Sequence, residues 1–354
     1  PPTLDGKNIE QKRQEILKYF NNTYELFEKI FELLENDKVF YKKSEPTRHP
    51  MIFYFGHTAT FFINKLILMK IIDKRVDANF ESIFAIGVDE MEWDDVNSKN
   101  YSWPKVEEVR RYRNIVKKIV QDLICKLEFE LPIKQNSAMW IILMGIEHER
   151  IHIETSLVLH RQMPLQFIKN IKELNICTHS SKSPKNDMVK ISSQAVKLGK
   201  NINHNLYGWD NEYGVYKESV NEFKVSKYLV SNAEFMEFVE NNGYEREEFW
   251  DEDRLKYLKN TNAKHPVFWI LKDGVYKYRA ISQIIDMPLD WPVDVNALEA
   301  QAFCKYKSKI DGVTYMLPSE AEYRAIYEQT NIEDLPDFDQ NRANLNFYHY
   351  ASSS

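Results

Sequence analysis

The sequence predicts a helical bundle followed by an α+β domain, and three observations carry this prediction. The chain has 354 residues, a length that suits two domains. Its first 170 residues contain long segments in which apolar side chains recur every three or four positions, the period of a helix. Beyond them the pattern changes to short β-like runs separated by Gly and Asn. We therefore expect a bundle over residues 1–170 and an α+β domain over residues 188–354.

The first half of the chain is expected to form four helices. They are residues 9–35, residues 51–72, about residues 104–127 and about residues 136–161. Two prolines in residues 44–50 separate the first two helices, and Pro164 follows the last. The second helix is apolar nearly all round, which predicts burial. Residues 73–103 are too long for a simple connector, and loops of this length are more often functional.

The second half begins after a polar, turn-forming stretch at residues 180–187. A strand is expected within residues 222–228. Helices are expected over residues 232–241, where Ser231 is the capping candidate, and over residues 297–308.

Composition excludes several classes of protein. The formal net charge is −6, which disfavours binding to nucleic acid or to an anionic membrane surface. The apolar residues 51–72 contain His57, Lys65 and Lys70, so a buried helix is expected rather than a membrane span. The three cysteines lie far apart and form no CxxC, which favours a reducing compartment such as the cytoplasm. Oligomeric state stays open.

The fourth predicted helix carries a pair of histidines with the spacing of metal ligands. His148 and His152 are four residues apart, so their side chains share one helix face with Cβ atoms about 5–6 Å apart. The best third ligand is His57, because an unpaired imidazole is costly to bury in its apolar segment. Taken alone, His57 also fits a hydrogen-bonded core histidine. The pair favours a metal site.

The same residues match the HExxH pattern of zinc peptidases, in which Glu149 would be the general base. The extended form of that pattern requires Gly and His where this chain has Thr155 and Val158. A form with a later Glu ligand would use Glu173, which nothing else in the sequence supports.

Imidazole ligands suit Zn, Cu, Fe and Ni, so residue types do not choose the metal. Three neutral ligands leave open positions on a doubly charged ion. Such an ion favours an anionic ligand such as a thiolate or, if it is redox-active, the activation of O2.

Three segments of the first half resemble a known family. They are residues 48–58 (RHPMIFYFGHT), residues 87–95 (GVDEMEWDD) and residues 147–156 (EHERIHIETS). These segments are similar to those of the sulfoxide synthases of ovothiol biosynthesis (OvoA type), whose relatives make ergothioneine. The resemblance implies a DinB-like four-helix bundle that binds non-haem Fe(II) through a lone His and an HxxxHxE motif. The matching ligands here are His57, His148 and His152, and Glu154 closes the motif.

The second half resembles the same family independently. The matching segments are residues 223–235 (FKVSKYLVSNAEF), Trp291-Pro292-Val293 to Cys304, and residues 317–323 (LPSEAEY). They imply a domain similar to the formylglycine-generating enzyme, with a C-type-lectin-like fold. We expect this domain to continue beyond Ser354, so that it is incomplete here. A methyltransferase domain, frequent in the ovothiol type, is not found in these residues.

The resemblance implies an Fe(II)- and O2-dependent reaction that joins the sulfur of cysteine to the imidazole ring of histidine, giving 5-histidylcysteine sulfoxide. Both substrates carry carboxylates, and Arg110 and Arg113 share one face of the third helix. They are candidates for binding a carboxylate, and a solvated basic face is the alternative. Glu154 either orients a metal ligand or forms a surface ion pair.

Several functions therefore stay open from the sequence alone. The first is the ovothiol-type synthase. The alternatives are an ergothioneine-type synthase acting on a methylated histidine, a zinc-dependent DinB-type thiol transferase or peptidase, and an inactive binding module. The sequence does not distinguish free cysteine from a cysteine peptide as the sulfur donor.

Overall fold

The computed structural model describes residues 1–85, 102–172, 174, 176–177 and 180–330. These residues form two compact units. The first, mainly helical unit is Pro1–Ile171 together with Asn201–Tyr213. The second unit contains Lys172–Lys200 and resumes at Gly214. The predicted helical bundle followed by an α+β domain is confirmed.

The short segment Asn201–Tyr213 packs with the helical unit, although the sequence analysis placed it in the α+β domain. The backbone N–H of Leu4 donates to the carbonyl of Asn205 at 2.6 Å. The rings of Trp140 and Tyr207 pack with their centroids 4.8 Å apart. Long-range contacts of this kind leave no local signal in the sequence.

The described residues of the helical unit contain the four predicted helices and one short α-helix that was not predicted. They are α1 (Ile9–Phe31), α2 (Met51–Leu68), α3 (Ala78–Ile83), α4 (Val106–Lys126) and α5 (Ala138–Gln162). Helix α3 lies within residues 73–103, which were predicted to form a long loop. It begins at Asp77, whose side chain accepts hydrogen bonds from the backbone N–H groups of Asn79 and Phe80.

Helix α2 packs against both α4 and α5 and is buried on nearly every side. By length and composition alone it is apolar enough to cross a membrane, and 67% of that window is buried inside the protein. Its predicted burial is confirmed. A helix in this position needs apolar residues all round, because each face meets another element of the bundle.

Helices α2 and α5 approach each other closely at Gly145. A Cβ atom at this position would lie 2.2 Å from the ring of Phe62, which is far inside van der Waals contact. The glycine therefore permits the ring to sit against the backbone of α5. This close packing determines how near the side chains of the two helices come to one another.

The second unit combines short antiparallel strands with helices. The strands are β1 (Met188–Ile191), β2 (Gln194–Leu198), β3 (Tyr216–Val220), β4 (Phe223–Ser226), β5 (Trp269–Lys272), β6 (Val275–Arg279) and β7 (Ile284–Asp286). Strand β1 pairs with β4, β2 pairs with β3, and β5, β6 and β7 form a meander.

The helices of this unit are α6 (Asn232–Glu240), α7 (Glu252–Thr261), α8 (Ala297–Asp311) and α9 (Glu320–Thr330). Helices α6 and α8 were predicted, and capping boxes start both, with Ser231 paired to Glu234 and Asn296 to Glu299. They contribute to a largely aromatic core, which includes Phe235. Helix α9 packs against β2 and β3.

Candidate metal centre

Helices α2 and α5 bring the three predicted histidines together. His57 lies in the middle of α2, and His148 and His152 lie one turn apart on α5. One ring nitrogen of each side chain lies within 4.8 Å of those of the other two. His57 and His148 are buried, and His152 is partly buried. The tertiary structure therefore assembles a group of three imidazoles from two distant parts of the chain.

Hydrogen bonding gives His57 a defined orientation. Its Nδ1 lies 2.6 Å from the carbonyl oxygen of Phe84, so Nδ1 carries the proton and donates it to that oxygen. The lone pair is then on Nε2, which lies 3.3 Å from Nε2 of His148. A metal-binding histidine is typically held in this way by a hydrogen bond from its other ring nitrogen.

A glycine next to His57 permits this contact. A Cβ atom at Gly56 would lie 2.6 Å from the ring of Phe84, so only glycine lets Phe84 approach α2 so closely. Phe84 was not predicted as a site residue. Its contribution comes from the main chain, which has no residue-type signal. The glycine beside a buried histidine was the available clue to a close backbone approach.

Aromatic rings stack on the imidazoles of His148 and His57. Phe61 stacks on His148 with ring centroids 3.7 Å apart and an interplanar angle of 8°. Phe53 stacks on His57 at 5.1 Å and 17°. These stacks restrict rotation of both imidazoles and separate them from water. The apolar sequence of α2 predicted a buried helix, and two of its aromatic residues also line the histidine group.

Burial keeps the histidines of α5 uncharged. Desolvation, followed by the charges of the neighbouring histidines, places the pKa of His148 well below its usual value. Desolvation and the proximity of His57 lower the pKa of His152 to about 3. Both imidazoles are therefore neutral near pH 7, and neutral imidazole is the form that binds a metal ion.

The geometry of the group fits a metal ion. Two nitrogens that each lie about 2.1 Å from one ion are separated by about 3.0–3.4 Å, and the Nε2 atoms of His57 and His148 are 3.3 Å apart. The convergence of three imidazole nitrogens at this separation makes the group a possible metal site.

Arg113 requires a correction, because the sequence analysis placed it among the substrate-binding residues. Its side chain is fully buried. The guanidinium donates to Oε1 of Glu149 at 3.0 Å, to Oγ1 of Thr58 at 2.9 Å and to the carbonyl of Phe55 at 2.9 Å. A substrate carboxylate has no access to a group enclosed in this way. Arg113 belongs to the interior of the bundle.

Arg110 is partly exposed and stays a prediction as a substrate-binding residue. Its guanidinium lies over the rings of Phe55 and Phe40, 5.3 and 5.8 Å from their centroids. Phe55 precedes His57 by two residues, and side chains at this spacing are about 200° apart around a helix. Arg110 therefore contacts a different side of α2 from the one that carries His57.

The acidic residues of the motif have different environments. Glu149 is fully buried and accepts hydrogen bonds from Arg113 and Thr58. Glu154 is exposed and makes no hydrogen bond to the three histidines within the described residues, so its orienting role stays a prediction. The acidic segment 87–95 and Glu173 lie outside the described residues.

Comparisons with known proteins match both halves of the chain. Residues 19–156 match the DinB superfamily, and residues 175–329 match the Sulfatase-modifying factor enzyme 1-like domain. The first match contains His57, His148 and His152. The second contains the segments that the sequence analysis related to the formylglycine-generating enzyme.

Two similar curated proteins match most of the chain, and a third matches a shorter part. Ergothioneine biosynthesis protein 1 of Schizosaccharomyces pombe is 24% identical over 348 residues, which cover 84% of this chain and 39% of that protein. The protein of the same name from Neurospora crassa is 26% identical over 322 residues, 79% of this chain and 34% of that protein. Hercynine oxygenase of Mycobacterium tuberculosis is 26% identical over 115 residues, 32% of this chain and 25% of that protein.

The chain thus spans between a quarter and two fifths of the length of these relatives. The order of its domains and the position of its histidine group agree with the predicted resemblance. The chain thus joins a segment that matches the DinB superfamily to one that matches the sulfatase-modifying factor enzyme 1-like domain, and it is similar to ergothioneine biosynthesis protein 1 and to hercynine oxygenase.

Proposed function

We propose that this chain is the sulfoxide synthase part of a non-haem iron enzyme. It joins the sulfur of cysteine to the imidazole ring of histidine and oxidises the sulfur with O2, giving 5-histidylcysteine sulfoxide. The observation that carries the proposal is the convergence of His57, His148 and His152 in a DinB bundle followed by a sulfatase-modifying-factor-like domain.

The charge of the histidine group supports a thiolate substrate. Three neutral imidazoles leave a divalent ion with its full positive charge and with open coordination positions, which attract an anionic sulfur ligand. Fe(II), the proposed metal, would supply O2 activation and Lewis acidity at this position. The protein contributes fixed ligand orientation, through the bond from His57 to the carbonyl of Phe84, and aromatic walls that exclude water.

The overall reaction balances without an external reductant. One S–H bond and one ring C–H bond are replaced by a C–S bond, one oxygen atom is added to sulfur, and the other leaves as water. The two substrates supply all four electrons that reduce O2. We therefore expect one O2 to be consumed for each sulfoxide formed.

A second candidate differs only in the acceptor. The names of the similar proteins refer to ergothioneine biosynthesis and to hercynine, which supports an acceptor other than unmodified histidine. The ergothioneine-type reaction on a methylated histidine is therefore the alternative. A cysteine peptide as sulfur donor stays open in both versions.

The structure gives little support to a zinc peptidase. Its general base would be Glu149, which is fully buried and hydrogen-bonded to Arg113 and Thr58. A general base must reach a water molecule at the metal. A DinB-type thiol transferase with zinc stays an alternative, and it differs from a synthase because it consumes no O2.

The test is oxygen uptake by the Fe(II)-loaded protein, with the product mass determined in the same sample. Cysteine is supplied with histidine in one reaction and with hercynine in another. An adduct of cysteine and the acceptor that carries one added oxygen would support the synthase and identify its acceptor. Bound iron without uptake on either acceptor, with cysteine or with a cysteine peptide as the donor, would contradict the proposal. Turnover with zinc and without O2 would favour the transferase.

A further inference from the structure

Three buried residues connect the helices that carry the histidines. Arg113 of α4 donates to Thr58 of α2 and to Glu149 of α5, at 2.9 and 3.0 Å. The Thr58 hydroxyl donates to the same Glu149 oxygen at 3.1 Å, which closes a triangle of hydrogen bonds. All three side chains are fully buried. We call these three residues the Arg113 triangle.

The triangle lies next to the histidine group in the sequence of both helices. Thr58 directly follows His57, and Glu149 directly follows His148. Any change in the separation of α2 and α5 at this level therefore alters two distances together. One is the 3.1 Å hydrogen bond between Thr58 and Glu149, and the other is the 3.3 Å approach of the two Nε2 atoms.

Stability alone gives a weak reason for a buried ion pair. Removing both charges from water costs so much free energy that apolar residues of similar volume are often equally stabilising or better. An apolar core, however, tolerates small shifts of its helices before it loses stability. Directional hydrogen bonds do not tolerate such shifts. A metal site requires its ligands to be held within about 0.5 Å of the productive geometry.

We propose that the Arg113 triangle positions the metal ligands by fixing the separation and rotation of α2 and α5 at His57 and His148. Arg113, Thr58 and Glu149 are positioning residues that do not contact the metal or the substrates. This inference rests on the metal site of the proposed function. It does not depend on the identity of the sulfur donor or of the acceptor.

The first test replaces the triangle by apolar residues in the triple variant Arg113→Met, Thr58→Val, Glu149→Leu. Co(II) serves as the probe, because both its affinity and its visible absorption report on ligand geometry without turnover. We expect the unfolding midpoint in urea to stay at or above that of the wild type. We expect Co(II) affinity to fall by about 10- to 100-fold and the absorption bands to shift. A folded triple variant with unchanged affinity and spectrum would overturn the inference.

A second pair of variants applies if the triple variant does not fold. Thr58→Val removes the hydroxyl and keeps the shape, whereas Thr58→Ser keeps the hydroxyl and loses a methyl group. We expect weaker Co(II) binding and a changed spectrum for Thr58→Val, with both properties close to wild type for Thr58→Ser. Equal effects of the two substitutions would contradict a positioning role.

Measurements on the wild-type protein distinguish a failure of the proposed metal site from a failure of the positioning role. If it binds no Co(II), or if His57→Ala binds as tightly, the metal site and the inference fail together. If the wild type binds through His57 and the triangle variants bind equally well, only the inference fails.

Discussion

Helices α2 and α5 present two opposite chemical environments at adjacent positions. His57 and His148 converge with their Nε2 atoms 3.3 Å apart, and burial lowers the pKa of His148. The next residues along each helix, Thr58 and Glu149, form hydrogen bonds with Arg113, and the Glu149 carboxylate also pairs with the Arg113 charge. Successive side chains on a helix point about 100° apart, which separates the two groups. Both groups are buried. One is a candidate metal site, and the other is a hydrogen-bonded charge pair inside the bundle.

The comparison predicts that removing a histidine abolishes metal binding. His57→Ala deletes one of the three proposed ligands, so we expect Fe(II) or Co(II) affinity to fall by more than about 100-fold, which is more than the loss typical of residues that only orient a ligand. Anaerobic titration measures this. The matched control is His160→Asn, a change at another fully buried histidine of α5, which donates to the carbonyl of Ser156. Equal loss in both variants would contradict the assignment.

Breaking the ion pair between Arg113 and Glu149 should lower the free energy of unfolding. Glu149→Leu leaves the fully buried Arg113 with only the more exposed Glu28, 3.4 Å from its Nε, as a carboxylate partner, so we expect a loss of up to about 3–5 kcal/mol of unfolding free energy. Urea unfolding of the metal-free protein measures this change. A loss below about 1 kcal/mol would mean that the pair contributes little to the stability of the bundle.

A pH series measures how the burial of His160, which lies outside the group of three histidines, affects stability. Burial lowers the pKa of His160 to about 4, whereas the unfolded chain has the ordinary value near 6.5. The unfolded state thus binds the proton first, so this contribution to stability is complete above pH 6.5 and is lost as the pH falls towards 4. We expect the unfolding free energy of the wild type to drop by about 3 kcal/mol more than that of His160→Asn. Parallel curves would contradict this.

The smallest expected effect comes from the glycines. Gly56→Ala forces Phe84 away from α2 and so disturbs the hydrogen bond that orients His57, which should weaken metal binding about 10-fold. Gly145→Ala forces Phe62 away in the same manner but at the core contact of α5. We expect the second variant to lose stability and to retain more of its metal affinity. If Gly145→Ala weakened metal binding more than Gly56→Ala, the Phe84 carbonyl would not be what orients His57.

The sequence by itself determined the two-part architecture and the main helices. Periodicity and capping residues are local properties, so the positions of α1, α2, α4, α5, α6 and α8 could be predicted within a few residues. The short strands β1 to β7 were mostly missed, since they are only three to five residues long and their pairing depends on distant partners. Helices α3, α7 and α9 were missed as well.

For the candidate site, the sequence identified the histidines and the tertiary structure decided the roles of their neighbours. His148 and His152 were recognisable because their spacing on one helix is itself the signal. Arg113 was assigned to substrate binding because helical spacing shows which residues share a face but not whether that face meets water or another helix. The contribution of Phe84 was invisible, since a backbone carbonyl has no residue type. Chain folding alone determines which distant groups share a buried space, and here it brings His57 to His148 and His152 and encloses Arg113 between helices.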